Sequence, residues 1–187
     1  MITRPSFREE VAHLLYATEG SPVHHCIQCG LCTASCPAAE FMEHSPRQII
    51  AMIAANLKDA VLSSSSFWYC ASCYQCSLRC PRGINVADMM YALKRYSMWK
   101  NRYKRGLIGP DFSKRFVKMI VRTGKSFEPA LAPSFILKYG WRGVLHDARM
   151  GLALFLKGRF PLLPARIKRV KPFRRVLGRV IPLGEVA

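Results

Sequence analysis

The feature that most constrains this chain is a cysteine pattern that occurs twice with the same spacing. Both copies follow Cys-x2-Cys-x2-Cys-x3-Cys-Pro, the second begins 44 residues after the first, and together they hold all eight cysteines. The first copy, CIQCGLCTASCP, supplies Cys26, Cys29, Cys32 and Cys36, and the second copy, CASCYQCSLRCP, supplies Cys70, Cys73, Cys76 and Cys80. Any fold of this chain must therefore accommodate two matching sets of four thiols.

Three kinds of site compete for these thiols. A disulfide framework is typical of small secreted chains, but the N-terminal stretch MITRPSFREEV becomes acidic before any apolar run, which argues against a secretory signal. Structural zinc usually takes two ligands from each of two short knuckles. Three thiols in one tight turn, with a fourth cysteine before a proline, are typical of [4Fe–4S] ligation. The pattern favours two [4Fe–4S] clusters and leaves zinc as the alternative.

The repeated pattern also predicts how the ligands are shared. In chains that hold two such clusters, the first three cysteines of a motif bind one cluster and the fourth binds the other. We therefore expect one cluster on Cys26, Cys29, Cys32 and Cys80, and the other on Cys70, Cys73, Cys76 and Cys36. Because Gly30 of the first motif corresponds to Tyr74 of the second, the two sites are not expected to be equivalent.

Capping signals and hydrophobic spacing predict helices around both motifs. Ser6 and Glu9 form a capping-box pattern, and Ser45 before Pro46 marks another helix start. Asn85 can cap a third helix over residues 86–105. Strand signals are weak between the motifs. The expected fold is all-α: an α-helical ferredoxin domain with two [4Fe–4S] clusters over residues 1–105, followed by a basic, loop-rich C-terminal extension.

The extension, residues 106–187, carries most of the positive charge. Residues 1–100 hold nine Lys and Arg against seven Asp and Glu, whereas residues 101–187 hold 20 against four. Short helices are expected at 111–123 and 143–157, and the segment after residue 160 is expected to form an extended or surface-docking arm. Such charge favours docking onto partner proteins or onto the anionic inner leaflet of a membrane. Nucleic acid fits the charge but not the cysteine pattern, so it is not expected as a partner.

Apolar residues occur only in short runs. The run MGLALFL at residues 150–156 is interrupted at once by Lys157, and no run reaches the roughly 18 residues that a membrane-spanning helix needs. We therefore expect a cytoplasmic protein whose contact with a membrane, where it occurs, is peripheral.

The residues around the second motif resemble a known family. The stretch FWYCASCYQCSLRCPRGINVADMMYALKR is similar to the C subunits of heterodisulfide reductases, and the resemblance covers residues 20–105. The later stretch KGRFPLLPARIKRV is similar to bacterial members of that family. In this family the C-type chain carries two [4Fe–4S] clusters between a flavin-containing A-type chain and a B-type chain whose CCG motifs bind the clusters of disulfide chemistry. The resemblance therefore implies an electron-transfer protein with A-like and B-like partners, acting in disulfide reduction or sulfur oxidation.

No catalytic residue is predicted in this chain. It contains neither a CCG motif nor a Gly-rich nucleotide fingerprint between a strand and a helix, so disulfide cleavage and flavin binding are expected in the partners. Two alternative functions remain open: an iron–sulfur subunit of a membrane-associated, quinone-linked dehydrogenase, and a zinc-stabilised nucleic-acid-binding module. The first class often carries an additional [2Fe–2S] domain with its own cysteines, and the second would give a colourless preparation.

Overall fold

The structure is a computed structural model, which describes residues 6–15, 23–127, 131, 148, 151–159 and 166–180. The chain divides into two units, residues 1–107 and residues 108–187. Within the described ranges, the regular secondary structure is helical and contains no strand. The prediction of an all-α chain is confirmed for these residues.

The described part of the first unit consists of helices joined by short turns. The α-helices are α1 (Phe7–Leu15), α2 (Leu31–Ala34), α3 (Pro46–Ala54), α4 (Lys58–Ser63), α5 (Gln75–Leu78) and α6 (Val86–Trp99). Three 3-10 turns, Val23–His25, Ala39–Phe41 and Ser66–Tyr69, connect them. The two shortest α-helices, α2 and α5, lie inside the two cysteine motifs, so the longer helices serve as the frame that positions the motifs.

The predicted capping box at Ser6 is present, and the predicted helix start at Ser45 is a capping box as well. The backbone N–H of Ser6 donates to Glu9 Oε2 at 2.7 Å, and the N–H of Glu9 donates to Ser6 Oγ at 3.4 Å. At the start of α3, the N–H of Ser45 donates to Gln48 Oε1 at 2.7 Å, and Pro46 occupies the first helical position. These reciprocal bonds satisfy N–H groups that have no partner within the helix.

The predicted cap of α6 is only partly correct. Asn85 occupies the N-cap position, but its side chain makes no hydrogen bond to the first backbone N–H groups of the helix. Its carboxamide instead accepts from Ser77 Oγ at 2.8 Å and donates to Asp88. The side chain of Asn85 therefore ties the second cysteine motif to α6, a role that local sequence could not reveal.

The predicted end of α6 at residue 105 is wrong, since the helix ends at Trp99. Asn101 has a left-handed backbone with φ of 50°, and the N–H of Arg102 donates to the carbonyl oxygen of Ser97 at 2.9 Å. This is the arrangement of a Schellman motif, which closes helices and accepts asparagine in place of glycine. No glycine or proline occurs between Trp99 and Gly106, so the sequence carried no strong signal for this stop.

The core of the first unit forms where α1, α3, α4 and α6 meet the turn Ser66–Tyr69. Its side chains are apolar with few exceptions, and most of them follow the 3.6-residue period of the helices. The largest fully buried side chains are Tyr96, Phe67, Ile49, Ile50, Ile53, Leu62, Ile84, Met89, Met90, Leu93, Val11 and Val61.

Glu10 of α1 connects three helices through one carboxylate oxygen. Lys58 Nζ of α4 donates to Glu10 Oε2 at 2.7 Å, and the hydroxyl of Tyr96 of α6 donates to the same oxygen at 2.6 Å. Burial raises the pKa of the Glu10 carboxyl, but the two hydrogen bonds outweigh burial and hold that pKa below its usual range. The carboxylate form therefore stabilises the packing of α1.

We expect the stabilisation by Glu10 to disappear at acid pH. Its folded pKa lies below its unfolded pKa, so the stabilisation is complete above the unfolded pKa, about 4.3, and is lost as the pH falls through the folded pKa. Glu10→Gln should lower the free energy of unfolding by about 1–2 kcal/mol at pH 7. Urea unfolding followed by circular dichroism measures this difference, which should shrink towards pH 4.

The matched control for this prediction is Glu40→Gln, since Glu40 is a carboxylate of the same unit that makes none of the contacts of Glu10. The free energy of unfolding of this variant should equal that of the parent protein at pH 7 and at pH 4. Acid effects common to the parent and both variants then cancel in the comparison. A difference between Glu10→Gln and the parent that stays constant from pH 7 to pH 4 would contradict the role of the carboxylate.

The described part of the second unit contains α7 (Ile108–Thr123) and α8 (Val170–Val180), which pack against each other. Arg174 of α8 donates from Nε to the carbonyl oxygen of Val121 at 2.8 Å and from Nη2 to that of Arg122 at 3.0 Å. These carbonyls lie in the last turn of α7, where they lack helical partners and where the helix dipole favours a cation. The predicted helix at 111–123 is thus confirmed and begins three residues earlier.

The prediction of an extended arm after residue 160 is wrong for α8. Val170, Phe173 and Leu177 are half-buried at helical spacing, while Lys171 and Arg175 are exposed. Pro172 is the third residue of the helix, where its missing N–H breaks no helical hydrogen bond. Frequent prolines and short apolar runs had hidden this periodicity.

The second helix expected in the second unit falls partly on described residues. Of the helix expected at 143–157, residues 148 and 151–156 are helical, and residues 143–147, 149 and 150 lie outside the described residues. The apolar stretch at 160–165 also lies outside them. In the described part of the chain, no helix has the length and apolar character needed to cross a membrane.

Candidate metal centres

The first cysteine motif forms a tight turn that ends in a short helix. Cys26 follows the turn Val23–His25, and its N–H donates to the carbonyl oxygen of Val23 at 3.2 Å. The backbone then takes left-handed conformations at Gln28, with φ of 58°, and at Gly30, with φ of 83°. These conformations fold the loop back on itself, so that Cys26, Cys29 and Cys32 approach one another.

The second motif repeats this backbone path. Cys70 follows the turn Ser66–Tyr69, and left-handed conformations recur at Ser72, with φ of 53°, and at Tyr74, with φ of 61°. Tyr74 therefore adopts the backbone that glycine provides in the first motif, and its hydroxyl donates to Asp88 Oδ1 at 2.7 Å. The equal spacing of the two motifs thus corresponds to equal local structure.

The third cysteine of each motif is buried, with 8% of Cys32 and 9% of Cys76 exposed. Burial raises the pKa of the Cys76 thiol to about 11 and also raises the pKa of Cys32, although hydrogen bonds with Ser77 and Thr33 partly oppose it. A metal binds the thiolate, so binding at these positions must release a proton.

Each motif is fixed to the start of the helix that follows it. Thr33 Oγ1 accepts from the backbone N–H of Arg47 in α3 at 3.2 Å, and Ser77 Oγ accepts from the N–H of Ala87 in α6 at 3.1 Å. Thr33 and Ser77 occupy the same place in the two motifs, directly after the third cysteine. The long helices therefore hold both motifs by equivalent contacts.

Two cavities lie beside the motifs, and each is lined by cysteines from both. The first cavity is lined by Cys26, Cys29, Cys32 and Cys80, together with Ile27, Gly30, Arg47, Ile50, Pro81, Arg82, Ile84 and Val86. The second cavity is lined by Cys70, Cys73, Cys76 and Cys36, together with Pro37, Ala38, Met42, Pro46, Ala71, Val86, Ala87 and Met90. The volumes, about 330 and 390 Å³ including space open to solvent, are similar.

The four cysteines of each cavity fit a cluster whose irons sit at separate corners of a cube, each taking one thiolate. Among the described residues, no three His, Cys, Asp or Glu side chains converge closely enough to hold a single metal ion. Besides cysteine, the residues lining the second cavity are apolar, which limits the access of water to a bound cluster. Val86, 1% exposed, lines both cavities and therefore lies between them.

Several neighbouring side chains have roles that the cysteine pattern did not indicate. The first cavity is also lined by Arg47, Arg82 and Val86. Of these, only Arg82 lies next to a cysteine motif in the sequence, directly after Cys80 and Pro81. Trp68 and Tyr69 directly precede Cys70 in the sequence, but neither is among the residues that line the second cavity. Trp68 is half-buried and instead contacts the rings of Phe67 and Tyr103.

Comparison with known proteins agrees with this geometry. Residues 22–84 match the family described as 4Fe-4S dicluster domain, and both cavities lie within or directly beside this range. The match indicates that two [4Fe–4S] clusters are the cofactors of this domain, and the eight cysteines supply the required number of thiolates.

The chain is similar to several curated proteins over parts of its length. It is 44% identical over 80 residues to the C subunit of ferredoxin:CoB-CoM heterodisulfide reductase from Methanosarcina acetivorans, which covers 43% of this chain and 32% of the relative. The protein of the same description from Methanosarcina mazei is 34% identical over 116 residues, covering 62% and 67%. The C subunit of H(2):CoB-CoM heterodisulfide,ferredoxin reductase from Methanothermobacter thermautotrophicus is 30% identical over 124 residues, covering 66% and 64%. The chain thus spans between about one third and two thirds of these relatives.

Proposed function

The chain belongs to the family of heterodisulfide reductase C subunits, and on that premise we propose that it is the electron-transfer subunit of a heterodisulfide reductase-type complex. The observation that carries the proposal is the pair of cavities, each lined by four cysteines, within a chain that matches a dicluster domain. Such a chain holds two redox groups side by side. It can therefore pass electrons between two partner proteins.

The proposed ligands of the clusters are the cysteines that line each cavity. The first cluster takes Cys26, Cys29, Cys32 and Cys80, and the second takes Cys70, Cys73, Cys76 and Cys36. The cavity linings support this crossed arrangement, because each contains three cysteines of one motif and the fourth of the other. The prolines after Cys36 and Cys80 line the second and the first cavity respectively, beside the cysteine that crosses over.

When bound, each cluster takes up and releases one electron at a time. The residues of this chain hold the clusters and control their surroundings. The cysteines fix their positions, and the apolar side chains of Met42, Met90 and Val86 exclude water from the second cavity. Since no CCG motif is present, sulfur chemistry is assigned to a partner protein.

The proposed partners are a flavin-containing A-like protein and a CCG-motif B-like protein, and the overall reaction is disulfide reduction or sulfur oxidation. The excess of Lys and Arg in residues 101–187 supports docking of the second unit onto an acidic surface of such a partner. A peripheral contact with an anionic membrane is the alternative use of the same charge.

Anaerobically prepared protein is expected to contain iron and acid-labile sulfide in about equal amounts, as [4Fe–4S] clusters require. Mixed with the reduced form of the flavin-containing A-like protein, it should lose its visible absorbance as the clusters are reduced. Addition of the oxidised B-like protein should restore that absorbance. Stopped-flow absorbance spectroscopy measures both steps.

The control is the double variant Cys29→Ala/Cys73→Ala, which removes one proposed ligand of each cluster and should show neither step. A preparation that contains zinc without iron would favour the nucleic-acid-binding alternative. Reduction by a quinol but not by the flavin-containing partner would favour the dehydrogenase alternative. Either result would overturn the proposed function.

A further inference from the structure

The two motifs share a backbone path, so differences between the two centres must come from side chains. Left-handed residues recur at equivalent positions, and the third cysteine of each motif is buried. These contributions are alike at the two centres. Since the potential of a cluster depends on hydrogen bonds to sulfur and on nearby charge, any side chain present at one centre alone makes the two potentials differ.

Gln28 is such a side chain. Its backbone N–H and its side-chain Nε2 both donate to Cys26 Sγ at 3.4 Å, so this sulfur receives two hydrogen bonds from one residue. The equivalent residue of the second motif is Ser72, whose side chain contains no amide group. Another cysteine of the first cavity, Cys80, accepts from the backbone N–H of Ile84 at 3.4 Å.

Arg47 fixes the orientation of the Gln28 amide. Arg47 Nη1 donates to Gln28 Oε1 at 3.3 Å. A guanidinium can only donate, so the amide oxygen must face Arg47, and Nε2 is left to face the sulfur. The aliphatic part of Arg47 also lies close to the backbone of the motif, since a Cβ at Gly30 would lie 3.9 Å from Arg47 Cδ.

The charged residues are also distributed unequally. Arg47 and Arg82 line the first cavity, whereas no charged residue other than cysteine is among those lining the second. Lys94 is near the second motif, but its Nζ donates to the carbonyl oxygen of Cys70 at 2.8 Å, and Asp88 brings a carboxylate to Tyr74. Positive charge and hydrogen bonds to sulfur both favour the reduced state of a cluster, which carries one more negative charge.

We propose that Gln28, oriented by Arg47, raises the reduction potential of the centre on Cys26, Cys29, Cys32 and Cys80 above that of the other centre. The inference rests on the proposed function and gives the relay a preferred resting site for a single electron. Transfer of one electron from the second centre to the first oxidises the donor and reduces the acceptor, and no proton or further reactant is needed. Gln28 is a positioning residue, since it acts through the Cys26 sulfur.

Potentiometric titration of the cluster-loaded chain, followed by electron paramagnetic resonance, tests this assignment. The unchanged protein should show two midpoint potentials. Gln28→Leu, which keeps the bulk and loses the donor, should lower the higher of the two and leave the lower in place. Gln28→Glu should lower the same potential further, because a carboxylate then faces the sulfur. Gln28 is exposed, so neither change is expected to disturb folding.

The matched control is Ser72→Ala, at the equivalent position of the second motif, which should leave the higher potential unchanged. The proposal is overturned if Gln28→Leu lowers the lower potential, lowers both equally or moves neither. The titration needs only the isolated chain. Loss of electron exchange with the partner proteins would therefore count against the proposed function and not against this assignment.

Discussion

The double variant Cys36→Ala/Cys73→Ala is expected to keep one of the two clusters, whereas Cys36→Ala/Cys29→Ala is expected to lose both. Cys36 and Cys73 line the same cavity, so removing both damages a single proposed site, while Cys29 lines the other cavity. Iron content per chain should therefore fall to about half in the first variant and to near zero in the second, relative to about eight irons for two [4Fe–4S] clusters. Colorimetric iron analysis of anaerobic preparations measures the difference.

The mirror-image pair gives the control for this result. Cys80→Ala/Cys29→Ala should keep about half of the iron, and Cys80→Ala/Cys73→Ala should lose nearly all of it, because Cys80 lines the first cavity. If each motif instead bound its own cluster with all four of its cysteines, the two outcomes would be exchanged in both pairs. The four variants thus decide the ligand sets without any need to assign spectra to individual clusters.

Phe67→Ala is expected to cause a large loss of stability, although it leaves every cysteine in place. Phe67 lies in the turn Ser66–Tyr69, which packs against α6, and its side chain is fully buried. Its carbonyl oxygen accepts from the N–H of Cys70 at 3.4 Å. Truncation of a buried phenylalanine costs about 3–5 kcal/mol, a large part of the roughly 5–15 kcal/mol of a typical domain. Denaturation should therefore occur at lower urea, measured by circular dichroism, and visible absorbance should be lost sooner.

Phe41→Ala provides the control for this prediction, because 64% of Phe41 is exposed. Removing an exposed ring should change the free energy of unfolding by at most about 0.5 kcal/mol. Equal urea midpoints for the two variants would contradict the prediction that the buried ring of Phe67 stabilises the fold more than the exposed ring of Phe41.

Much of the first unit could be predicted from the sequence because the signals were local. The capping box at Ser6 and the helix start at Ser45 depend on residues at most three positions apart, and the structure confirms both. The helical character of the segment between the motifs followed from spacing alone. One local signal was misleading, since the side chain of Asn85 binds Ser77 and Asp88 rather than capping α6.

The second unit was predicted less well for a physical reason. The segment that forms α8 contains Pro172 and Gly178, both of which are exposed in the helix. Proline in a first turn costs no helical hydrogen bond, but in a sequence it indicates a break. The contact of Arg174 with the last carbonyls of α7 could not be foreseen, because 52 residues separate Arg174 from Arg122.

What the sequence by itself determined is the number, spacing and type of the metal-binding groups, because eight thiols in two identical motifs are a covalent property of the chain. The spacing also predicted that three cysteines of one motif and the fourth of the other share a cluster. Ligation by these crossed sets stays a prediction. The tertiary structure alone decided what surrounds each set. Helix α3 brings Arg47 to Gln28, and α6 places Val86 between the cavities. Two motifs that are alike as sequences become unlike as sites, because charge and hydrogen bonds reach a cluster through space and not along the chain.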